Sequence, residues 1–196
     1  LEKKIELNHP NFEGSTIILQ QENILGGESQ ILERKEDGST EVIFQLEANS
    51  DAILNQDTVS KEGINAIVRL DMASREQYTW DKRFTVLDSA FADTKSIPDG
   101  IIPTVTRFIH EQIEADRTVL VHCAAGMSRS VSLTMAYLIE YENMSLAEAV
   151  GTVREGRTQA DPHENLLISL IEHYDLPYNT SRVVNPRFIA ELLEDV

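Results

Sequence analysis

The segment from Val119 to Ser130 constrains the fold of this chain more than any other part of the sequence. It begins with a short all-apolar run, Val119-Leu120-Val121, of the kind that is buried on both faces of a sheet. A loop of small residues follows, and the sequence from about Ser130 to Tyr141 is dense in apolar residues and predicts a central helix. A buried strand that leads through a tight loop into a helix is typical of an α/β domain.

The loop has the layout of an anion-binding site. Successive backbone N–H groups point inward in such a loop, and the following helix adds the positive end of its dipole. Its small residues let the backbone approach a ligand closely, and Gly126 is able to adopt a positive φ angle. The residues expected to bind phosphate are Ala124, Ala125, Gly126, Met127, Ser128 and Arg129.

Four side chains around the loop carry the predicted chemistry. Cys123 opens the loop, where the amides, the helix dipole and Arg129 favour the nucleophilic thiolate over the thiol. The planar guanidinium of Arg129 can hold two phosphate oxygens at once and stabilise a transition state. Ser130 either donates a hydrogen bond to the sulfur or is an ordinary helix-start residue. His122 is expected to order the loop through hydrogen bonds.

Charge and composition limit the partners of the chain. Its formal net charge is −16 at pH 7, which repels phosphate backbones and anionic lipid surfaces, so we expect neither nucleic acid nor a membrane as a partner. No apolar run has the length of a membrane-spanning helix, and no secretory signal pattern appears at the start, which predicts a cytoplasmic protein. The single cysteine excludes an internal disulfide and a multi-thiolate metal site, and it fits a reducing compartment.

Local patterns along the chain predict three parts: a β-rich N-terminal extension over residues 1–41, an α/β domain over 42–175 and a C-terminal helical tail over 176–196. The predicted strands are Thr16–Gln20, Gln30–Arg34, Thr40–Leu46, Ile64–Leu70, Phe84–Leu87 and Val119–Val121, with an Asp-Gly turn at 37–38. Helices are predicted near 101–113, 130–141, 145–154, 164–174 and 186–194, the third opened by a capping box at Ser145 and Glu148.

The spacing in this segment resembles the signature of the cysteine-based protein phosphatases, which reads His122-Cys123-x-x-Gly126-x-x-Arg129-Ser130 in this chain. The loop is similar in form to that of the small atypical dual-specificity phosphatases, and the resemblance covers residues from about 42 to 175. It implies a central, mostly parallel, twisted sheet flanked by helices. It also implies hydrolysis of phosphotyrosine and phosphoserine/phosphothreonine in proteins through a phosphocysteine intermediate, with no cofactor and no metal. The catalytic residues that it implies are Cys123, Arg129, Asp93 and Ser130.

The resemblance also implies a general acid on a separate loop, and two aspartates are candidates for it. Asp93 precedes Cys123 by 30 residues and Asp88 precedes it by 35. The shorter spacing is similar to that of the family, so Asp93 is preferred and Asp88 is the alternative. The chain departs from the family at Pro162-His163, where Pro-Asn is usual.

Other interpretations stay open at this point. The same chemistry on a non-protein substrate, such as a phosphoinositide, an RNA end or a phosphoglucan, is one alternative. A catalytically weak phosphate-binding or scaffolding module, with the N-terminal extension as its interaction site, is another. The uncharged loop and the net charge of −16 favour a phosphorylated protein as the substrate. Outside the loop, Arg157 and His163 are interpreted as solvent-exposed, and Trp80 as a core residue.

Overall fold

The computed structural model describes residues 2–6, 16–20, 30–34, 40–44, 56–61, 63–72, 80–157 and 159–176. Its strands are β1 Glu2–Glu6, β2 Thr16–Gln20, β3 Gln30–Arg34, β4 Thr40–Phe44, β5 Ile64–Arg69, β6 Thr85–Asp88 and β7 Thr118–His122. Its helices are α1 Gln56–Lys61, α2 Ile101–Glu114, α3 Arg129–Glu140, α4 Leu146–Gly156 and α5 Glu164–His173. The predicted turn at 37–38 and the predicted helix at 186–194 lie outside the described residues.

The described strands form one mixed sheet with the order β1-β2-β4-β3-β7-β5-β6. The sheet was expected to be mostly parallel, and this holds for its central strands, since β5 pairs in parallel with both β6 and β7. The strands β1 to β4 add mainly antiparallel pairings. On its other edge β7 pairs with β3, and that pairing is antiparallel. The predicted α/β class is therefore confirmed, with the cysteine-bearing strand in the interior of the sheet.

Helices cover both faces of the central strands. Alternate residues of β5 and β7, such as Val68 and Val121, join the main core with α2, α3, α4 and α5. The residues between them, Ile67 and Leu120, are also buried. By strand alternation they point to the opposite face. Helix α1 contacts β5, and its Val59 is buried. Strands buried on both faces explain the uninterrupted apolar runs in the sequence.

Helices α2 to α5 begin close to where the sequence predicts, whereas α1 was not predicted. In α2 the predicted apolar face is buried at Ile102, Val105, Ile109 and Ile113. The capping box of α4 is confirmed. Ser145 Oγ accepts the Glu148 N–H at 3.2 Å, and the Glu148 carboxylate accepts the Ser145 N–H at 2.7 Å. Within the described part of the chain, no helix combines the length and the apolar character needed to cross a membrane.

Strand β6 lies one residue later than predicted. The Phe84 N–H bonds the carbonyl of Asp81 at 3.1 Å, so Phe84 closes a turn, and its side chain is buried. At the other end, Asp88 remains in register with Arg69 of β5. The predicted strand included the buried Phe84, although Phe84 belongs to the turn before β6.

Candidate active site

The cysteine loop, residues 123–128, connects the buried strand β7 to α3. Gly126 has a φ of 64°, which is the positive value that the sequence analysis allowed for it. Ala124 and Ala125 are exposed, whereas Ser128 and Arg129 are buried. Small residues therefore line the open part of the loop, and the end that enters the helix is packed into the domain.

Cys123 begins this loop, and Ser130 lies just beyond its end, in the first turn of α3. The two side chains face each other. The distance from Cys123 Sγ to Ser130 Oγ is 3.4 Å, and both residues are buried, with Cys123 only 8% exposed. Ser130 thus contacts the sulfur directly. A residue that served only to begin the helix would not need this contact. A hydroxyl at this position can donate to a thiolate.

The Arg129 side chain is fixed by carbonyl groups from two other segments. Its Nη1 donates to the Leu70 carbonyl at 2.9 Å and to the Phe91 carbonyl at 3.0 Å. Leu70 directly follows β5, and Phe91 lies in the aspartate loop, residues 89–98, which follows β6. The guanidinium therefore connects the cysteine loop to the two neighbouring chain segments.

The two candidate aspartates lie beside different arginines. Asp93 Oδ1 is 3.7 Å from Arg129 Nε, and the Asp93 side chain is 43% exposed. Asp88 Oδ2 is 3.7 Å from Arg69 Nη1 instead. The structure therefore brings Asp93, rather than Asp88, next to the arginine at the end of the cysteine loop.

A buried polar cluster lies behind the cysteine loop, formed by Arg69, Asp71 and His122. His122 Nδ1 is 3.4 Å from Asp71 Oδ2, and Arg69 Nε is 3.5 Å from Asp71 Oδ1. Burial lowers the pKa of His122 from 6.5 to about 4, although the Asp71 carboxylate and a backbone hydrogen bond with Cys123 oppose this effect. His122 is therefore neutral near pH 7, and it has a hydrogen bond with the backbone of Cys123. Trp80 packs edge-on against its ring, with centroids 5.7 Å apart.

A second segment, between α4 and α5, supports the cysteine loop through hydrogen bonds. Arg157 Nη2 donates to the Ala125 carbonyl at 3.4 Å, and the Asp161 N–H donates to the Met127 carbonyl at 2.9 Å. The His163 N–H donates to Ser128 Oγ at 3.0 Å. Two of these bonds fix carbonyl groups of the loop, and the third fixes the Ser128 side chain.

The interpretation of Arg157 and His163 as solvent-exposed is wrong. Arg157 is only 6% exposed, and its burial lowers its pKa to about 10. His163 is half-buried and caps α5, since its Nδ1 accepts the Asn165 N–H at 3.3 Å. Asn is a favoured capping residue, and the imidazole supplies the same kind of acceptor here. The departure at Pro162-His163 was noted in the sequence, but this cap was not predicted from it.

Among the described residues, no group of three or more His, Cys, Asp or Glu side chains is arranged to hold a metal ion. The predicted site residues that the structure brings together are Cys123, Ser130, Arg129 and Asp93, with His122 behind the loop. The contacts of Arg69, Asp71 and Arg157 were not predicted, because each joins segments that are distant in the sequence.

Comparison with known proteins identifies relatives for most of the chain. Residues 44–176 match the family model of the dual specificity phosphatase catalytic domain. Tyrosine-protein phosphatase yvh1 of Schizosaccharomyces pombe is 36% identical over 80 residues, which are 41% of this chain and 24% of that protein. Human dual specificity protein phosphatase 14 is 32% identical over 120 residues, which are 61% of this chain and 60% of that protein. The chain thus spans less than two thirds of the length of each of these relatives.

Solved structures share the fold. The crystal structure of Tk-PTP in the active form has a TM-score of 0.58 and 26% sequence identity, and the match covers 65% of this chain and 89% of that one. The crystal structure of human DUSP28 has a TM-score of 0.53 and 20% identity, and the match covers 62% of this chain and 81% of that one.

Proposed function

This chain belongs to the dual specificity phosphatase family, and we propose that it is a phosphoprotein phosphatase that acts on phosphotyrosine and phosphoserine/phosphothreonine through a phosphocysteine intermediate. The observation that carries the proposal is the meeting of three groups from two loops. Cys123 is at the head of the cysteine loop, Arg129 is at its end, and Asp93 is 3.7 Å from that arginine. A nucleophile, an anion-binding group and a proton donor are what phosphate ester hydrolysis requires.

In the first step, Cys123 Sγ attacks phosphorus in line with the leaving oxygen. The S–P bond forms while the P–O ester bond breaks, and the proton of the Asp93 carboxylic acid goes to the leaving oxygen. The loop amides and Arg129 stabilise the charge on the phosphoryl oxygens. Arg129 Nε and Asp93 Oδ1 lie 3.7 Å apart, which supports a site where the proton donor and the anion-binding group act on the same phosphate ester.

In the second step, water attacks the phosphocysteine and releases phosphate. The Asp93 carboxylate takes a proton from the water as its oxygen bonds to phosphorus, and the electron pair of the S–P bond returns to sulfur. Ser130 Oγ, 3.4 Å from Sγ, donates to the thiolate that leaves. The same aspartate is thereby restored to its acid form for the next turnover.

The loop composition supports a protein rather than a polyphosphorylated lipid as the substrate. The residues between Cys123 and Arg129 carry no charge, and the formal net charge of the chain is −16. A highly charged substrate would gain from additional cations around its phosphates. We assign the catalytic unit to residues 42–175, and the single cysteine supports a reducing compartment such as the cytoplasm.

The test is hydrolysis of a small aryl phosphate and of a phosphotyrosine peptide by the wild type, Cys123→Ser, Asp93→Ala and Asp88→Ala. We expect Cys123→Ser to abolish turnover while it retains substrate binding, and Asp93→Ala to lower kcat about 100-fold. Asp88→Ala should keep most of the activity, because its carboxylate faces Arg69. Turnover retained by Cys123→Ser, in a protein shown to be folded, would refute the mechanism.

A further inference from the structure

Hydrogen bonds to other elements hold the aspartate loop on both sides of Asp93. On the N-terminal side, the Ser89 N–H donates to the Arg69 carbonyl of β5 at 2.9 Å, and Arg129 donates to the Phe91 carbonyl at 3.0 Å. On the C-terminal side, both bonds come from α5. Asn165 Nδ2 donates to the Thr94 carbonyl at 3.0 Å, and Ser169 Oγ accepts the Ile97 N–H at 3.0 Å. Asp93 therefore lies between two anchors on its N-terminal side and two on its C-terminal side.

From this arrangement, and resting on the proposed function, we propose that Asn165 and Ser169 are positioning residues that hold Asp93 in place for proton transfer. Neither side chain has a hydrogen bond to the cysteine loop among the described residues; each acts through the backbone of the aspartate loop. General acid catalysis needs the donor within hydrogen-bond reach of the leaving oxygen. The Asp93 side chain is 43% exposed, and its carboxylate lies 3.7 Å from Arg129 Nε, so packing fixes it only in part and the position of its backbone matters.

Helix α5 is suited to this task because its first turn is itself tied to the cysteine loop. The His163 N–H donates to Ser128 Oγ at 3.0 Å, and His163 Nδ1 accepts the Asn165 N–H at 3.3 Å. Asn165 thus connects the cap of α5, which bonds the cysteine loop, to the Thr94 carbonyl of the aspartate loop. The helix fixes the distance between the two loops.

Ser169 is the stronger of the two anchors. Its bond to the Ile97 N–H is buried, whereas the Asn165 bond to Thr94 is exposed. Its hydroxyl also donates to the Asn165 carbonyl at 2.8 Å, which orients the oxygen toward Ile97. Removing the hydroxyl leaves a buried N–H without its acceptor, and this costs more than losing an exposed bond.

The first test compares Asn165→Ala and Ser169→Ala on two esters that differ in the leaving group. With phenyl phosphate, whose leaving group needs a proton, we expect kcat to fall about fivefold for Asn165→Ala and about tenfold for Ser169→Ala. With 4-nitrophenyl phosphate, whose leaving anion is stable, the loss should be less than about twofold. Glu164→Ala is the control, because Glu164 lies next to Asn165 in the first turn of α5 and has no hydrogen bond to the aspartate loop among the described residues. The kcat of this variant should stay at the wild-type value on both esters.

The second test repeats both substitutions in an Asp93→Ala background. If the two residues act through Asp93, they have no further effect on the hydrolysis of phenyl phosphate once the carboxyl group is gone. An equal loss on both esters, or the same loss with and without Asp93, would overturn the proposal and indicate a general structural role.

A third measurement does not depend on activity. Hydrogen exchange of the aspartate-loop amides, above all that of Ile97, should accelerate in Ser169→Ala and in Asn165→Ala but not in Glu164→Ala. Unchanged exchange in the first two variants would overturn the anchoring. A folded wild type that hydrolyses neither ester would overturn the proposed function instead, and the exchange rates would then decide the anchoring by themselves.

Discussion

The cysteine loop and the aspartate loop face the same site but are built differently. The cysteine loop is held mainly along its backbone, between a strand buried on both faces and the segment that carries Arg157, Asp161 and His163. The aspartate loop is held largely by side chains of remote elements, and the Asp93 side chain is 43% exposed. The comparison indicates that the loop that binds the phosphoryl group is held rigidly. The position of the proton donor depends instead on a few hydrogen bonds that single substitutions can remove.

The largest effect should come from Arg129, which directly follows the cysteine loop and donates to the aspartate loop. Arg129→Lys keeps the charge but loses the planar fork and the pair of bonds to Leu70 and Phe91, so we expect kcat/KM to fall about 1,000-fold. Steady-state hydrolysis of an aryl phosphate measures it. Arg154→Lys, on α4, is the matched control and should change kcat/KM little; a similarly small loss in Arg129→Lys would show that charge alone suffices.

Behind the cysteine loop, His122 should make stability depend on pH. Its pKa is about 4 in the folded protein and near 6.5 when unfolded, so the unfolded state binds the extra proton between these values. The free energy of unfolding should therefore fall by about 3 kcal/mol as the pH drops from 6.5 to 4. Urea unfolding across this range measures it, and His122→Gln should flatten the dependence. Equal slopes in both proteins would contradict the assignment.

Ser130, in the first turn of α3, contacts the Cys123 sulfur and should affect the second step rather than the first. Because its hydroxyl is 3.4 Å from the Cys123 sulfur, Ser130→Ala should slow phosphocysteine hydrolysis about tenfold. Rapid mixing with 4-nitrophenyl phosphate should then show a burst of nitrophenolate, which the wild type lacks. A tenfold slower first step without a burst would place the serine in the attack instead.

The smallest effects should come from a matched pair of glycines. Gly126→Ala forces a side chain into a φ of 64°, so we expect a loss of about 1 kcal/mol in stability together with weaker binding of phosphate. Gly151→Ala, inside α4, meets nothing within 4 Å and should stabilise the protein by about 0.5–1 kcal/mol with unchanged kinetics. Thermal unfolding and phosphate inhibition measure both. A stabilised Gly126→Ala would remove the argument for a rigid cysteine loop.

The sequence predicted those parts of the molecule that depend on local pattern. The capping box at Ser145, the apolar face of α2 and the cysteine loop are each contiguous or periodic, so their physics is visible within a short window. Residues 69, 71 and 122 meet only because β5 and β7 are neighbours in the sheet, and no local pattern reports that pairing. Arg157 was misjudged for the same reason, since its acceptor lies 32 residues away.

The choice between the two aspartates shows most clearly what local sequence patterns leave undetermined. Asp88 ends β6 and Asp93 lies five residues later, and the family spacing favoured Asp93 over Asp88. Whether either carboxylate faces Arg129 depends on the parallel register of β5 and β6, which places Asp88 opposite Arg69. A pairing between strands therefore decides which acid lies beside the cysteine loop.

The pairing of β3 with β7 has a practical consequence for anyone who shortens this protein. The family match begins at residue 44, but the strand that lies beside the cysteine-bearing strand is Gln30–Arg34, with Ile31 opposite Leu120. A fragment cut at the family boundary would leave one edge of β7 with open N–H and C=O groups, in a segment rich in β-branched and apolar residues. Such an edge is a template for association between copies. Soluble expression therefore calls for retaining the first 43 residues.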